Sequence, residues 1–276
     1  MFGVVPRVLW ERVCPPDELN RIKQQMNCVF IDTGKEKVLI ETGIGEKWTE
    51  KEAKIYGIFR ERPFAETLFE KTGCTTDDIT IVINTHLHFD HAGGNSILNS
   101  PPYEGRGDAA SADGVVLSRS PIPQFKNARY LVSKRELEHA ENPHERDRAS
   151  YLPENWRPMI ETGQLEPMPD DYEPIPGLML QTNRGHSETM QTWRLDRGGK
   201  TMYGFADLIP TRHHVPLPWI MGYDLYPTET LAFKKEILPK AAAEGWMCLF
   251  YHDFDHPLCK LEMSKGKTVS TDYVEI

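Results

Sequence analysis

Three histidines and one aspartate fall within six consecutive positions of the segment INTHLHFDHAGGN, residues 83–95. They are His86, His88, Asp90 and His91, and the whole chain has only 10 histidines. Imidazole nitrogens and carboxylate oxygens are ligands that zinc and similar divalent metals accept. A hydrogen-bonded histidine cluster at a helix start is the structural alternative. Four such groups with no lysine or arginine between them favour metal binding instead.

Further potential ligands follow apolar runs elsewhere in the chain. His186 comes after GLMLQT, Asp207 after MYGFA, and His252 after WMCLFY. Sites in α/β proteins assemble at strand ends, so these three side chains are expected to join the first cluster. His256 competes with His252, but it precedes a proline in a loop. Four ligands from one turn do not easily surround one ion, so the four could be shared between two metals.

Alternating apolar runs and turn residues predict the elements that position these side chains. CVFI (28–31) and VLIE (38–41) form a hairpin, and ITIVIN is a buried strand that ends where the histidines begin. PFAETLFEKTG (63–73) and SKRELEHAE are helices, and Ser133 with Glu136 gives the latter a capping-box pattern. GLMLQT, MQTWRL and TMYGFA are successive strands, TETLAFKKEIL is a helix after Thr228, and WMCLFYH is a final strand.

This pattern favours a single α/β domain over residues 1–276, with a loop and helical insertion around 96–174. The segment from Ser96 to Phe125 is rich in glycine, proline, serine and aspartate, which predicts a long surface loop. Residues 139–174 are polar and interrupted by prolines. His139 and His144 lie in this charged segment and are expected to be solvated.

Composition excludes several classes of function. The net charge of -9 leaves no dominant basic face for nucleic acid. No apolar stretch approaches the ~20 residues that span a bilayer, and the N-terminus does not have the pattern of a signal peptide. The five cysteines are scattered without a CxxC pair, which favours a reducing compartment. The chain is therefore expected to be cytoplasmic.

THLHFDHAGG resembles the HxHxDH signature of the metallo-β-lactamase-fold hydrolases, and the other three ligands recur in the expected chain order. The resemblance implies a four-layer αββα sandwich with a dinuclear site at the edge of the two sheets. It further implies that one metal is held by His86, His88 and His186, the second by Asp90, His91 and His252, with Asp207 bridging. Zinc is the favoured metal, with iron, manganese and cobalt as alternatives.

Other segments are similar to one branch of that superfamily. FGVVPRVLWE with PPDELNRI, and DLIPTRHHVPLPWIMGYDLYP after Asp207, resemble the quorum-quenching acyl-homoserine-lactone lactonases and methyl parathion hydrolase. Two positions depart from the pattern of that branch. Glu41 stands in LIETG where the branch often has LIDTG. Pro210 replaces a tyrosine that assists the substrate carbonyl in well-known lactonases.

The resemblance implies a hydrolase in which a metal-bridging hydroxide opens a lactone or cleaves a related ester, with Asp90 and Asp207 as catalytic residues. The first alternative is a phosphotriesterase or arylesterase of the methyl parathion hydrolase type. A β-lactamase and a thioesterase like glyoxalase II are less favoured. Outside enzymes, a di-iron redox or metal-binding protein of the same fold is the alternative.

A small-molecule lactone or ester is the predicted partner, and nucleic acid and membrane are not. The candidate pocket residues are Met1, Phe2, Phe89, His213, His214, Trp219 and Tyr223. The apolar N-terminal segment further predicts a homodimer.

Overall fold

The computed structural model describes residues 1–99 and 120–273. Its helices are α1 (Arg7–Trp10), α2 (Glu50–Tyr56), α3 (Phe64–Thr72), α4 (Phe89–Ala92), α5 (Lys134–Glu141), α6 (Arg157–Glu161) and α7 (Pro227–Ala243). Its strands are β1 (Val29–Asp32), β2 (Lys37–Ile40), β3 (Ile81–Ile83), β4 (Ser96–Leu98), β5 (Pro121–Pro123), β6 (Arg129–Ser133), β7 (Leu165–Met168), β8 (Asp171–Ile175), β9 (Leu178–Thr182), β10 (Gln191–Arg197), β11 (Lys200–Gly204), β12 (Met247–Leu249), β13 (Leu258–Ser264) and β14 (Lys267–Thr271).

The first main sheet has five strands in the order β1-β2-β3-β6-β7. β1 and β2 form the predicted antiparallel hairpin, with Val29 opposite Ile40. From β2 onward the neighbouring strands run parallel. All three residues of β3 are buried, which is typical of a parallel strand covered on both faces. The histidine motif therefore begins at the end of a strand in the middle of this sheet.

The second main sheet has seven strands in the order β14-β13-β12-β11-β10-β9-β8. Its neighbouring strands are antiparallel except for β11 and β12, which are parallel and are connected through α7. β13 and β14 carry many exposed or half-buried polar residues. Because their apolar alternation is weak, the sequence did not predict these two strands, of which β14 forms the edge of the sheet.

Side-chain alternation along the strands decides which layer each residue joins. Val38 and Ile40 of β2 share a core with Leu180 of the second sheet. Leu39 lies between them in sequence and faces the other way, where it packs in a cluster with Leu68 of α3. Two sheets thus pack face to face, and helices cover the outer face of the first.

The outer face of the second sheet is covered by α7. Cys248 of β12 and Leu261 of β13 cluster there with Leu238 of α7. The layers therefore run helix, sheet, sheet, helix, and the predicted four-layer αββα sandwich is confirmed. All five cysteines are free.

The predicted insertion at 96–174 is too wide. Within it, β6 and β7 belong to the five-stranded sheet and β8 to the seven-stranded sheet. Residues 128–133, ARYLVS, predict the strand that the structure shows as β6, whereas β7 and β8 are short and have prolines around them, so composition alone did not separate these two from a surface insertion. The predicted loop from Ser96 to Phe125 holds β4 and β5, which pair with each other. Its middle, residues 100–119, lies outside the described residues.

Among the described residues, no helix is both long and apolar enough to cross a membrane. Val4 and Val8 of the N-terminal segment have exposed side chains. The homodimer expected from this apolar segment stays a prediction.

Candidate metal centre

The histidine motif changes conformation in its middle. After β3 the chain stays extended as far as His88, which forms a bridge with Tyr151. α4 then begins at Phe89, so Asp90 and His91 lie in its only turn. The extended part directs His86 and His88 toward the site from one side, and the helical turn directs the other two from a second side.

Two glycines at the end of this short helix let its backbone pack directly against the segment that follows β2. A Cβ atom at Gly93 would lie 2.3 Å from the carbonyl oxygen of Ile44. A Cβ at Gly94 would lie 2.3 Å from the carbonyl oxygen of Thr42. Thr42 in turn donates its backbone N–H to the carbonyl of His91 over 2.9 Å. The GG pair of the motif is therefore required by close backbone packing beneath the ligands.

Asp207 lies at the centre of the cluster. It follows β11 in a buried 3-10 turn. Its Oδ1 lies 3.2 Å from Nε2 of both His91 and His252, and its Oδ2 lies 3.5 Å from Nε2 of His186. The two oxygens of one carboxylate thus reach histidines that come from three separate parts of the chain.

The remaining candidates form two groups around this aspartate. His86, His88 and His186, here the three-histidine set, place one potential ligand atom each within 4.8 Å of one another. The residues Asp90, His91 and His252, here the mixed set, do the same. These groups have the same members as the two predicted ligand sets, and ligation itself stays a prediction. His256, the competitor of His252, instead stacks on Tyr273.

Hydrogen bonds on the second ring nitrogen fix the orientation of two ligand histidines. Nδ1 of His186 lies 3.1 Å from Oδ1 of the buried Asp224. Nδ1 of His252 lies 3.1 Å from the carbonyl oxygen of Gln25. Because these acceptors hold a proton on Nδ1, the lone pair on Nε2 is available to a metal.

Glu41 is a site residue whose contact with the ligands the sequence did not predict. Its Oε1 lies 3.4 Å from Nδ1 of His91 and accepts the backbone N–H of Thr85 over 3.0 Å. It also forms a possible metal-binding group with His86 and His91. The backbone of Glu41 has a φ of 65°, a conformation that side-chain-bearing residues rarely adopt. The only sequence signal was the replacement of the aspartate in LIDTG.

Burial and neighbouring charges lower the pKa of some residues in the cluster and raise the pKa of others. Burial lowers the pKa of His86 and His88 well below the usual range, and neighbouring histidines add to this effect. Burial acts in the same direction on His91, but the carboxylates of Asp207 and Glu41 outweigh it and raise its pKa. Burial would raise the pKa of Asp207, yet the surrounding histidines hold it well below the usual range.

Several buried polar atoms of the cluster have no hydrogen-bond partner among the described residues. They are His86 Nε2, His88 Nε2, both ring nitrogens of His91, and Asp207 Oδ1. Buried polar groups without partners are rare in proteins and call for an explanation. Convergent imidazole nitrogens and carboxylate oxygens are the donor set that divalent zinc, iron, manganese or cobalt accepts. The residues present therefore fit a dinuclear divalent metal site.

Aromatic side chains border this centre on one side. The ring of Phe89 packs against Trp48 and Tyr56, with 5.4 Å between ring centroids in each case. Phe89 directly precedes Asp90 in α4, so this trio stands next to the mixed set. The predicted place of Phe89 beside the site is therefore consistent with the structure.

Other predicted pocket residues lie around the N-terminus. Tyr223 is 59 % exposed, and its hydroxyl lies 3.5 Å from the amine nitrogen of Met1. Trp219 is half-buried and packs edge to face on Phe2, with 5.6 Å between the ring centroids. Met1, Trp219 and Tyr223 therefore remain candidates for a substrate wall.

Three predicted pocket residues are placed differently. His214 is fully buried, bonds to Thr211 through Nδ1, and stacks on Phe2 at 4.6 Å, so it lies behind the pocket surface. Phe2 is itself 4 % exposed and acts as packing. His213 is half-buried beside Arg212, where burial and the guanidinium lower its pKa. Burial thus distinguishes Phe2 and His214 from the more exposed candidates, and the pocket role of all three residues stays a prediction.

A sequence profile described as the Metallo-beta-lactamase superfamily matches residues 22–100. This range covers β1 to β3, the Glu41 turn and the whole histidine motif. Together with the layered fold, the match shows that the chain carries a metallo-beta-lactamase superfamily domain.

Comparisons over the whole chain agree with this assignment. An N-acyl homoserine lactonase from Bacillus cereus is 25% identical over 268 residues, covering 90% of this chain and 86% of that protein. The structure of a probable metal-dependent hydrolase from Staphylococcus aureus is 26% identical, with a TM-score of 0.81 over 100% of this chain and 92% of that one. A dizinc quorum-quenching lactonase with a bound product has the same fold, with a TM-score of 0.68 at 18% identity over 92% of this chain and 81% of that one. The chain is a metal-dependent hydrolase.

Proposed function

We propose that the chain hydrolyses lactones, with N-acyl homoserine lactones as the substrate class. The observation that carries this proposal is the position of Asp207, whose two oxygens reach both groups of candidate ligands. Such an arrangement suits a dinuclear hydrolytic centre. The curated relatives named as N-acyl homoserine lactonases, similar over 90% of the chain, support the lactone as the substrate.

The three-histidine set would hold one metal and the mixed set the other, with Asp207 contacting both. When bound, two divalent cations supply Lewis acidity, which lowers the pKa of water and polarises a carbonyl oxygen. Zinc is the favoured metal because a dizinc centre is described for a lactonase of the same fold.

Asp90 is the candidate for proton transfer. Its side chain is 23% exposed, compared with 6% for Asp207, so it can meet both water and substrate. The carboxylate of Asp90 accepts the proton of a water whose oxygen attacks the lactone carbonyl carbon. The ring C–O bond then breaks, and Asp90 returns the proton to the leaving alkoxide oxygen. Tyr251 donates its hydroxyl proton to the backbone carbonyl of Asp90 over 2.8 Å and so fixes this turn.

The aromatic side chains around the centre provide apolar surface for an acyl chain. Phe89 with its neighbours Trp48 and Tyr56 lies on the side of the mixed set. Tyr223 and Trp219 lie near the N-terminus, where Tyr223 contacts Met1. Ligand sites combine such apolar walls with a few polar groups that fix orientation.

A substrate panel on protein of known metal content tests the proposal. The panel contains N-acyl homoserine lactones of several chain lengths, an aryl ester, a phosphotriester and a chromogenic β-lactam, with zinc, manganese or cobalt loaded. The lactones are expected to have the highest kcat/KM. Asp90→Asn should lower that value by about 10²–10⁴-fold, the usual contribution of a proton-transfer group. The exposed-histidine variant His144→Gln serves as the control and should leave it unchanged.

Two outcomes would replace the proposal. Preferential turnover of the phosphotriester or aryl ester would assign the chain to that class of hydrolase. No turnover of any lactone or ester by fully metal-loaded protein would exclude the proposed activity.

A further inference from the structure

Glu136 is a completely buried carboxylate with no part in the proposed chemistry. It is the third residue of α5 and is 0% exposed. Ser133 accepts the backbone N–H of Glu136 at the start of the helix, as the capping-box pattern predicts. The carboxylate does not complete that box. It points away from the helix start, accepting the backbone N–H of Leu87 over 2.7 Å and the hydroxyl of Thr189.

The two groups that Glu136 binds belong to the two segments that supply the three-histidine set. Leu87 lies between His86 and His88, and Thr189 lies three residues after His186. The turn that follows His186 is fixed locally, because Ser187 Oγ accepts the backbone N–H groups of residues 189 and 190. One carboxylate therefore connects the segments that bring His88 Nδ1 and His186 Nε2 to 3.1 Å from each other.

The mixed set is supported differently. Asp90 and His91 lie in α4, and His252 follows β12, where its Nδ1 bonds to the carbonyl of Gln25. None of the hydrogen bonds of Glu136 described above reaches these segments. Its influence should thus be confined to one half of the centre.

We propose that Glu136 is a positioning residue that sets the affinity of the three-histidine metal site and leaves the mixed site unaffected. The inference rests on the proposed dinuclear hydrolase, since it concerns the same ligands. Outer partners of metal ligands typically change metal affinity by about 10–100-fold when they are removed. Glu136 acts one step further out, on the backbone that carries the ligands.

Zinc titration of the metal-free protein against a chromogenic chelator tests this proposal without measuring activity. In wild type we expect two binding steps. Glu136→Ala should weaken one step by about 10–100-fold and leave the other unchanged. Glu136→Gln should bind zinc as wild type does, because its amide oxygen still accepts the N–H of Leu87 and Thr189 can accept from the amide nitrogen. The matched control is Glu138→Ala, which alters an exposed glutamate on the same helix.

Two backgrounds assign the affected step to a site. In His252→Ala the three-histidine set is left to bind zinc, and adding Glu136→Ala should weaken that binding. In His88→Ala the mixed set is left, and adding Glu136→Ala should change nothing. If Glu136→Ala fails to fold, Thr189→Val removes one of the two hydrogen bonds and should weaken the same step by a smaller factor.

Equal weakening of both steps, or of neither, would overturn the proposal. Equal weakening accompanied by a lower melting temperature of the metal-free protein would mean that Glu136 merely stabilises the fold. A wild type that binds two zinc ions but hydrolyses no lactone would instead remove the proposed function, and the titration would still decide the role of Glu136.

Discussion

The three-histidine set and the mixed set differ in how the protein holds them. Two buried carboxylates support the three-histidine set. Asp224 binds the ring of His186, and Glu136 accepts a backbone N–H from the segment between His86 and His88. The mixed set has one such carboxylate, Glu41 beside the ring of His91, and otherwise depends on packing and on backbone groups. The ring of Tyr251 stacks on His91 with 4.1 Å between centroids, and the carbonyl of Gln25 orients His252.

The two sets also differ in exposure. The five histidines of the two sets are at most 7% exposed, and the difference comes from Asp90 of the mixed set, whose side chain is 23% exposed. A buried set suits metal retention, and a set with one partly exposed carboxylate suits contact with the substrate. We therefore expect the three-histidine set mainly to retain its metal and the mixed set mainly to contact the substrate.

Asp207→Ala should have the largest effect, because this carboxylate lies close to histidines of both sets. We expect bound zinc to fall below two ions per chain and kcat/KM to fall by at least ~10²–10³-fold, as when a preorganised catalytic group is removed. Metal analysis and steady-state kinetics provide the measurements. The control is Asp255→Ala, which removes an exposed carboxylate. Near-normal zinc content and rate in Asp207→Ala would contradict the central position of this residue.

Asp224→Asn tests whether a carboxylate specifically supports the three-histidine set. The variant keeps an oxygen acceptor for His186 and removes the negative charge, so it should weaken one zinc-binding step by about 10-fold. Thr230 donates its hydroxyl to the other oxygen of Asp224 over 2.7 Å, and in the variant its hydroxyl oxygen can accept from the amide nitrogen at that position. Zinc titration of the metal-free protein is the measurement.

Glu41→Gln is the matched change on the mixed set, because Glu41 contacts the ring of His91. It should weaken the other zinc-binding step. If both variants weaken the same step, the division of the centre into two sets is wrong.

The candidate ligands could be predicted because their signal is local. Four of the seven lie in one short motif, and the other three directly follow apolar runs that the structure shows as β9, β11 and β12. The two-sheet core was predictable for the same reason, since short buried strands such as β3 are read from consecutive residues. Strands with many polar or exposed residues, such as β13 and the edge strand β14, lack that signal.

The supporting residues could not be predicted because their partners are distant in sequence. Asp224 is separated from His186 along the chain by β10, β11 and the following loop. Glu136 has the spacing of a capping box, and an acidic residue in the first turn of a helix is ordinarily solvent-exposed. The left-handed backbone of Glu41 likewise follows from the packing of α4 on the strand end, and no local pattern records it.

The prediction for His139 was wrong, and its actual surroundings allow a test of stability against pH close to the three-histidine set. It was expected to be solvated, but its Nε2 lies 2.9 Å from Oδ2 of the buried Asp147. Its ring packs edge to face on Tyr151, which in turn packs on His88. The hydrogen bond that His139 donates to the Asp147 carboxylate raises the pKa of His139.

A histidine whose folded-state pKa is raised adds stability that is fully present below its unfolded pKa and is lost as pH rises through the folded value. Asp147→Asn should therefore lower the free energy of unfolding more at pH 6 than at pH 8.5. The cost should approach the ~1.5–3 kcal/mol of a hydrogen bond to a charged group at pH 6 and fall toward ~0.5–1.5 kcal/mol at pH 8.5. Urea unfolding of wild type and variant at both pH values measures this difference.

The control is Glu145→Gln, which alters the exposed acidic neighbour of His144 and should show no dependence on pH. An equal cost of Asp147→Asn at both pH values would mean that the pair contributes packing alone. The contacts that reach His88 from this side would then be steric, like the packing in the mixed set. The contrast between the two sets would rest on Asp224 and Glu136.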